Sequence, residues 1–208
     1  MGSIMILGAS TLQIPLIRQA RKSGYNMIVV SPKKDEPGFK YATHCIYADV
    51  HNEEIILKYA KKYRISGIIT DQTDIPVRTA AYVAEKLGLP GIGYNTACLF
   101  TDKYLMRERC RELGIPTLKY NKVNNIQDGI DYFEKLNGDA ILKPVDNQGS
   151  RGVYKVTSKE ELINKFEQSM FYSKEKAVLV EQYATGREFV VEGLVYNYQF
   201  ENLICGDT

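Results

Sequence analysis

The chain has 208 residues, 44% of them hydrophobic and 25% charged, an ordinary globular composition that excludes a disordered tail, a collagen-like fibre and a small disulfide scaffold. Lys and Arg number 27 against 25 Asp and Glu, a formal charge of +2, so no broad basic field speaks for nucleic acid as a partner. At roughly 100–200 residues per domain, the length allows one large domain or two small ones. The four cysteines, Cys45, Cys98, Cys110 and Cys205, make no CxxC pair, which argues against a zinc knuckle or redox motif; they are expected as small buried apolar residues of a cytoplasmic protein. No apolar run approaches the roughly 18 residues of a membrane helix, and no signal-peptide pattern opens the chain.

The first half alternates strand and helix. Residues 4–7 form a short apolar run closed by Gly8-Ala9-Ser10. Leu12, Leu16 and Ala20 then recur at helical spacing, with Pro15 tolerable in the first turn and Gly24 as a stop. Further strands are expected at 27–30, 45–48 and 67–70. Asn52 is expected to cap a helix with Glu53 and Glu54 in its first turn and Ile56, Tyr59 and Tyr63 inward. Asp74 is expected to cap the next helix, with Val77, Ala81, Ala84 and Leu87 inward and Gly88 ending it. Continuously apolar strands between helices mean a parallel sheet covered on both faces, here a doubly wound unit over residues 1–95.

The second half changes character. Thr101 or Asp102 caps a helix carrying Leu99, Met106, Cys110 and Leu113 on one face, ended by Gly114-Ile115-Pro116. Strands are expected at 117–123, 140–145, 153–156, 178–183 and 189–196. A helix starting at Asn125 carries Ile126, Ile130 and Phe133, and another starts at Ser158, where Glu161 completes a capping box. Residues 117–183 therefore read as an α+β unit with mostly antiparallel strands.

Several residues stand out chemically. Lys143 ends an apolar strand, where a cation needs an anion to stay buried. The loop that follows, Asp146-Asn147-Gln148-Gly149-Ser150-Arg151-Gly152, can fold backbone N–H groups over a polyphosphate, or can be a glycine-containing hairpin beside a surface lysine. Glu181 and Glu188 flank a turn, as an acid–base or hydroxyl-binding pair or as solvated strand-end charges. Lys103 lies in the first turn of its helix, an unfavourable place for a cation, which hints at an anion partner beside the alternative of a solvated lysine. At the strand ends of the first half, Ser10, Gln72, Thr73 and Asp74 are candidate substrate contacts, with capping by Asp74 as the plainer alternative. Gly8-Ala9-Ser10 lacks the later glycines of GxGxxG, so dinucleotide binding is unsupported. His44, Cys45, Asp49 and His51 do not converge on one side of a strand and are not expected to bind metal.

In order along the chain, Thr101-Asp102-Lys103…Met106-Arg107, Gly114-Ile115-Pro116-Thr117, Ile141-Leu142-Lys143-Pro144, the Gly149–Val153 loop, Val180-Glu181-Gln182-Tyr183 and Gly186-Arg187-Glu188 resemble the ATP-grasp superfamily, in its carbamoyl-phosphate-synthase-like group of amino-acid ligases and purine-pathway carboxylases. The resemblance implies an α/β chain with a Rossmann-like pre-ATP-grasp domain (1–95), a connecting helix (96–116), the small α+β ATP-grasp sub-domain (117–183) and the start of the large one (184–208). It implies that Lys103 and Lys143 contact ATP phosphates and that Gly149, Ser150, Arg151 and Gly152 close over them. Glu181 would accept from the adenine amino group, Gln182, Tyr183 and Ala184 would flank the base, with the backbone of Gln182 and Ala184 reading its edge, and Glu188 would hold ribose hydroxyls. The adenine would lie against Ile141 and Val180.

The implied activity is ATP-dependent joining of a small carboxylate to an amine or similar nucleophile through an acyl phosphate, with Mg²⁺ on the phosphates. The family's metal ligands have no counterpart in this chain and are expected beyond residue 208. The chain is therefore expected to be a portion of a longer enzyme and inactive alone. A non-catalytic nucleotide-binding module is the alternative. Neither nucleic acid nor a membrane is implied as a partner, and a homo-oligomer is compatible with all of this.

Overall fold

The computed structural model describes residues 2–207. The first half is built on four parallel strands in the order β3-β2-β1-β4: β1 (Ser3–Leu7), β2 (Asn26–Ser31), β3 (His44–Tyr47) and β4 (Gly67–Ile69). Alternation divides the strands' side chains between two cores. Met5, Leu7, Ile28 and Val30 pack with Ile56, Ala60 and Val83 on one face, from α2 (Glu53–Lys62) and α3 (Val77–Leu87). Ile6, Met27 and Val29 pack with Ile17 on the other, from α1 (Ile14–Lys22).

The helices keep the expected positions but not every expected face. Leu12 is 61% exposed and Ile17 is the buried anchor of α1, because residues 11–13 form a separate 3-10 turn and the α-helical register starts at Ile14. Asn52 caps α2 by accepting from the Ile55 N–H, and Gly88 ends α3 in the left-handed conformation. Asp74 does not cap α3: the cap residue is Pro76, with no side-chain bond, since α3 starts at Val77, two residues later than a cap at Asp74 would set it. The cysteines are also corrected: Cys45 and Cys205 are exposed and Cys98 and Cys110 half-buried, all free.

Two helices follow, α4 (Tyr94–Thr101) and α5 (Lys103–Glu112). Asp102, in extended backbone, caps α5 as expected, and Leu99, expected on the same face, belongs instead to α4. None of the residues of α5 is fully buried, and Leu113, just beyond it, is 58% exposed, so the expected apolar face is not a core face. The second sheet, in the order β5-β8-β6-β7, is antiparallel throughout, from β5 (Tyr120–Val123), β6 (Ala140–Pro144), β7 (Tyr154–Val156) and β8 (Val178–Gln182). On one face Leu142, Val156, Val178 and Val180 bury against Ile130 and Phe166 of α6 (Ile126–Leu136) and α7 (Lys159–Phe171). Gly129 lets these helices meet: a Cβ there would stand 3.2 Å from the Phe166 ring. Ser158 caps α7, and Glu161 returns its bond to the Thr157 N–H at 2.8 Å.

The chain continues as an antiparallel ribbon of β9 (Phe189–Tyr196) and β10 (Gln199–Asp207), with a register irregularity between Asn202 and Ile204. Phe166→Ala is expected to destabilise the protein by about 3–5 kcal/mol, because its side chain is 1% exposed and joins both helices to the sheet. Urea unfolding followed by circular dichroism checks it.

Candidate functional site

The free face of the antiparallel sheet holds the polar cluster. Strand alternation turns Leu142 and Val180 toward α6 and α7, which leaves Ile141 and Lys143 of β6 and Leu179 and Glu181 of β8 on the other side. There α5 lies across the strands. Asp102 starts it, its Oδ1 accepting from the Leu105 N–H at 2.8 Å, and the Lys103 N–H donates to the Val145 carbonyl at 2.9 Å, tying the helix start to the end of β6. Lys103 and Arg107, four residues apart, share one side of the helix.

Glu181 is 3% exposed and meets two cations. Arg107 Nε lies 2.6 Å from its Oε1, and Lys143 Nζ pairs with its Oε2. Burial pushes the Glu181 carboxyl upward, but the bonds from Arg107 and Lys143 outweigh it and hold the group below the ordinary glutamate range. Lys103 has no such partner: its Nζ donates to the Asn147 carbonyl. Burial first, then the neighbouring charge of Lys143, push the Lys103 amine below the ordinary lysine value, against the weaker pull of Asp146, Asp74 and Asp102.

The loop after β6 is braced at its base and bonded to itself. Asp146 accepts from the backbone N–H groups of Lys174 and Glu175, each at 3.0 Å. Arg151 donates to Asn147 Oδ1 at 3.2 Å and Asn147 donates back to the Arg151 carbonyl at 3.1 Å. Its turn uses left-handed backbone at Gly149, Ser150 and Gly152. Gly152 is doubly required, since a Cβ there would stand 2.8 Å from the Tyr172 ring and 2.9 Å from Pro144 Cγ. Gln148 reaches from this loop to the end of the parallel sheet, accepting from the Asp74 N–H at 2.7 Å and donating to Thr73 Oγ1 at 2.8 Å.

Gln148 stands between two cavities and lines both. The first, of about 500 Å³, is bounded by Lys103, Arg78, Thr101, Asp74, Asn147, Arg151 and Lys174. Arg78 is held there by Thr101 Oγ1 at 2.5 Å. The second, of about 330 Å³, lies at the strand ends and is lined by Ser10, Gln13, Gln72 and Thr73, where the strand order reverses between β1 and β4. Ser10 donates its hydroxyl to Gln13 Oε1 at 2.6 Å. Gln13 in turn donates to the Asp71 carbonyl at 3.0 Å, and so joins the ends of β1 and β4.

The expected site residues thus fall into groups. Lys103, Lys143 and Glu181 converge, with Arg151 at the rim of the larger cavity. Ser10, Gln72 and Thr73 line the smaller one, and Asp74 the larger. Gln182 ends β8, exposed, and Tyr183, Ala184 and Glu188 follow on an exposed stretch between β8 and β9. The Gln182 N–H is already donated to the Lys119 carbonyl at 2.8 Å, so it is not free to read a base edge. Val180 is likewise corrected: it faces the α6/α7 core and cannot line the cleft with Ile141. Lys143 meets its anion, as burial demands, but that anion is Glu181. His51 bonds Asp49 at 2.9 Å, and among the described residues no three His, Cys, Asp or Glu side chains converge as metal ligands. Sequence reasoning missed Arg78, Gln148 and Lys174 as cavity residues and gave Arg107 no role. Of these, only Arg107 carries a local signal, its four-residue spacing from Lys103.

The two-cation carboxylate, the glycine loop and the capped helix crossing an antiparallel sheet form one cleft, and the comparisons give the chain a family. The model described as phosphoribosylglycinamide synthetase, ATP-grasp (A) domain, matches residues 101–207; the chain belongs to the ATP-grasp family. It is similar to a formate-dependent phosphoribosylglycinamide formyltransferase of Bacteroides fragilis, 25% identical over 80% of this chain and 43% of the relative. It is also similar to a D-alanine–D-alanine ligase of Pseudomonas entomophila, 33% identical over 51% of this chain and 34% of the relative. Its fold superposes on N5-carboxyaminoimidazole synthetase of Staphylococcus aureus complexed with ADP, with a TM-score of 0.81 and 20% identity, over 99% of this chain and 54% of that one. The chain therefore spans about half or less of the length of these relatives. Among the described residues no helix is long and apolar enough to cross a membrane.

Asp102 offers a test of the site's foundation. Its Oδ2 is buried without a partner, and burial raises its carboxyl above the ordinary value of 3.8. A raised folded value contributes stability at low pH that is lost as pH rises through it, so at pH 7 the ionised side chain costs stability. Asp102→Asn keeps the cap and is expected to unfold at equal or higher urea concentration at pH 7, with the advantage shrinking toward pH 3. Asp102→Ala is expected to lose about 1 kcal/mol.

Proposed function

We propose that this chain is the nucleotide-binding portion of an ATP-dependent ligase that joins a small carboxylate to an amine or similar nucleophile. The observation that carries the reading is Lys103: a half-buried ammonium beside a second lysine, paired with no carboxylate among the described residues. Two cations brought together in a low-dielectric cleft favour an anion between them, and a polyphosphate supplies it. In this reading Lys103 and Lys143 neutralise charge on the phosphates as compact point charges. The loop around Gly149, Ser150, Arg151 and Gly152 covers them and excludes water. Glu181 accepts from the base amine, and Glu188 supplies the ribose contact after the exposed 183–188 stretch folds over the nucleoside.

The chemistry that follows balances simply. A carboxylate oxygen attacks the γ-phosphorus, the bond to the β-bridging oxygen breaks, and ADP leaves with its electron pair. The amine attacks the carbonyl carbon of the acyl phosphate, loses a proton, and expels inorganic phosphate. The smaller cavity, with Ser10, Gln72 and Thr73, is the place for the carboxylate substrate, next to the phosphate loop through Gln148. The described residues offer no metal site, so Mg²⁺ has no assigned ligand in this reading. We keep the division of the chain at 95, 116 and 183, and a cytoplasmic location, which the four free cysteines support.

Calorimetric titration with ATP tests the phosphate reading. Lys103→Met and Lys143→Met are each expected to weaken binding by about tenfold or more; unchanged affinity in both overturns it. Binding is also expected to weaken as pH rises toward 10 in the wild type. The phosphate anion raises the Lys103 amine that burial holds low, so the complex takes up protons in that range. ADP release on mixing ATP with panels of carboxylates and amines tests the ligase reading.

A further inference from the structure

The two oxygens of Glu181 are held differently. Oε1 receives Arg107, a side chain 28% exposed whose guanidinium comes from α5; Oε2 receives Lys143, which is 15% exposed and comes from β6. Lys143 cannot serve Glu181 and a phosphate equally, and when the ammonium turns to a phosphate it leaves a lone pair of Oε2 free for a base amine. Resting on the nucleotide reading above, we propose that Arg107 is a positioning residue that holds Glu181 ionised and in place through Oε1, so that Lys143 can leave Oε2 for the phosphates and surrender that oxygen to the base amine. Lys143 is then a place-holder in the nucleotide-free chain, and Arg107 the permanent counter-ion.

The geometry supports this division of labour. Lys143 and Glu181 sit diagonally on neighbouring antiparallel strands, since Lys143 pairs in register with Leu179 and Ile141 with Glu181. The ammonium can swing along the strand without disturbing the backbone ladder. Arg107 is fixed by a helix whose first N–H is bonded to Val145 and whose cap is buried. A carboxylate this deep, stripped of its lysine and lacking the arginine, would be an unpaired buried charge. The remaining groups around Glu181 do not replace Arg107. On β5, Tyr120 stands opposite Glu181 in register, but its hydroxyl is donated to Glu108 at 2.7 Å. Lys103 is turned to Asn147. On β7, Lys155 pairs with Asp139 at 2.8 Å. The helices α6 and α7 pack on the opposite face of the sheet, through Ile130, Leu162 and Phe166.

The test is ATP affinity measured by calorimetry from pH 6 to 9 for wild type, Arg107→Met, Arg107→Lys, Glu181→Gln and the Arg107→Met/Glu181→Gln pair. Arg107→Met is expected to weaken ATP by about 30-fold or more at pH 8. The loss relative to wild type is expected to shrink toward pH 6, because the bare Glu181 takes up a proton in the complex, while the titration of ATP itself is common to both proteins. Arg107→Lys restores most of the affinity. Adding Glu181→Gln to Arg107→Met removes the unpaired charge and brings affinity to within about threefold of Glu181→Gln alone. Unchanged affinity in Arg107→Met overturns the proposal. So does a pH-independent loss that neither Lys nor the second substitution rescues, the mark of a purely structural role. If Arg107→Met does not fold, Arg107→Lys and the double variant decide on the same criteria. Wild-type-like affinity in both Lys103→Met and Lys143→Met, or no ATP binding by the wild type, instead overturns the nucleotide reading itself.

Discussion

A carboxylate buried in a sheet face has to be matched before the sheet can close, and the second half of this chain is arranged around that requirement. Glu181 sits on β8, between β5 and β6 in the sheet, where solvent cannot reach it. Its two oxygens draw one cation from the neighbouring strand and one from α5. That demand brings α5 across the free face, even though the helix has no fully buried residue to hold it there. Polar matching, together with the Asp102 cap and the bond from Lys103 to Val145, does for α5 what an apolar stripe does for α6 and α7.

The same arrangement leaves Lys103 half-buried beside Lys143 with no carboxylate bonded to it directly, Asp146, Asp74 and Asp102 acting on it only from a distance. Its nearest partner is a backbone carbonyl in the loop after β6, and that loop is anchored by Asp146 and tied through Gln148 to the end of the parallel sheet. The groups around Lys103 and those at the ends of the parallel strands are therefore joined by hydrogen bonds from a single glutamine. Gln148 lines both cavities and bonds Thr73 and the Asp74 N–H, so one side chain connects the loop to the end of the parallel sheet.

The parallel half was legible because its apolar strands are bounded by turn residues, Asn52 opens α2 and Gly88 closes α3, so local chemistry and tertiary burial agree there. Asn52, Gly88, Asn125 and Ser158 perform the roles their local sequence suggests. Misreadings occurred where local pattern and tertiary contact diverge. Leu12 matches the helical period of α1, yet belongs to a separate 3-10 turn. Asp74 is a good cap type set too far ahead of α3, and its N–H is bonded to Gln148 instead. The α5 apolar residues recur at helical spacing but face no core, because polar contacts seat that helix.

The residue types and their order along the chain determined the α/β class, the antiparallel second sheet, the glycine-containing loop after β6 and the prominence of Lys103, Lys143 and Glu181. Those are properties of spacing, propensity and charge placed in an apolar strand. Only the tertiary structure decided that Glu181 is the anion Lys143 meets, that Arg107 is its second counter-ion, that Val180 turns away from the cleft, and that Gln148 links the cavities. Each of these depends on which faces of separate elements meet across tens of residues, and a helix or strand carries no mark of the partner that will cover it.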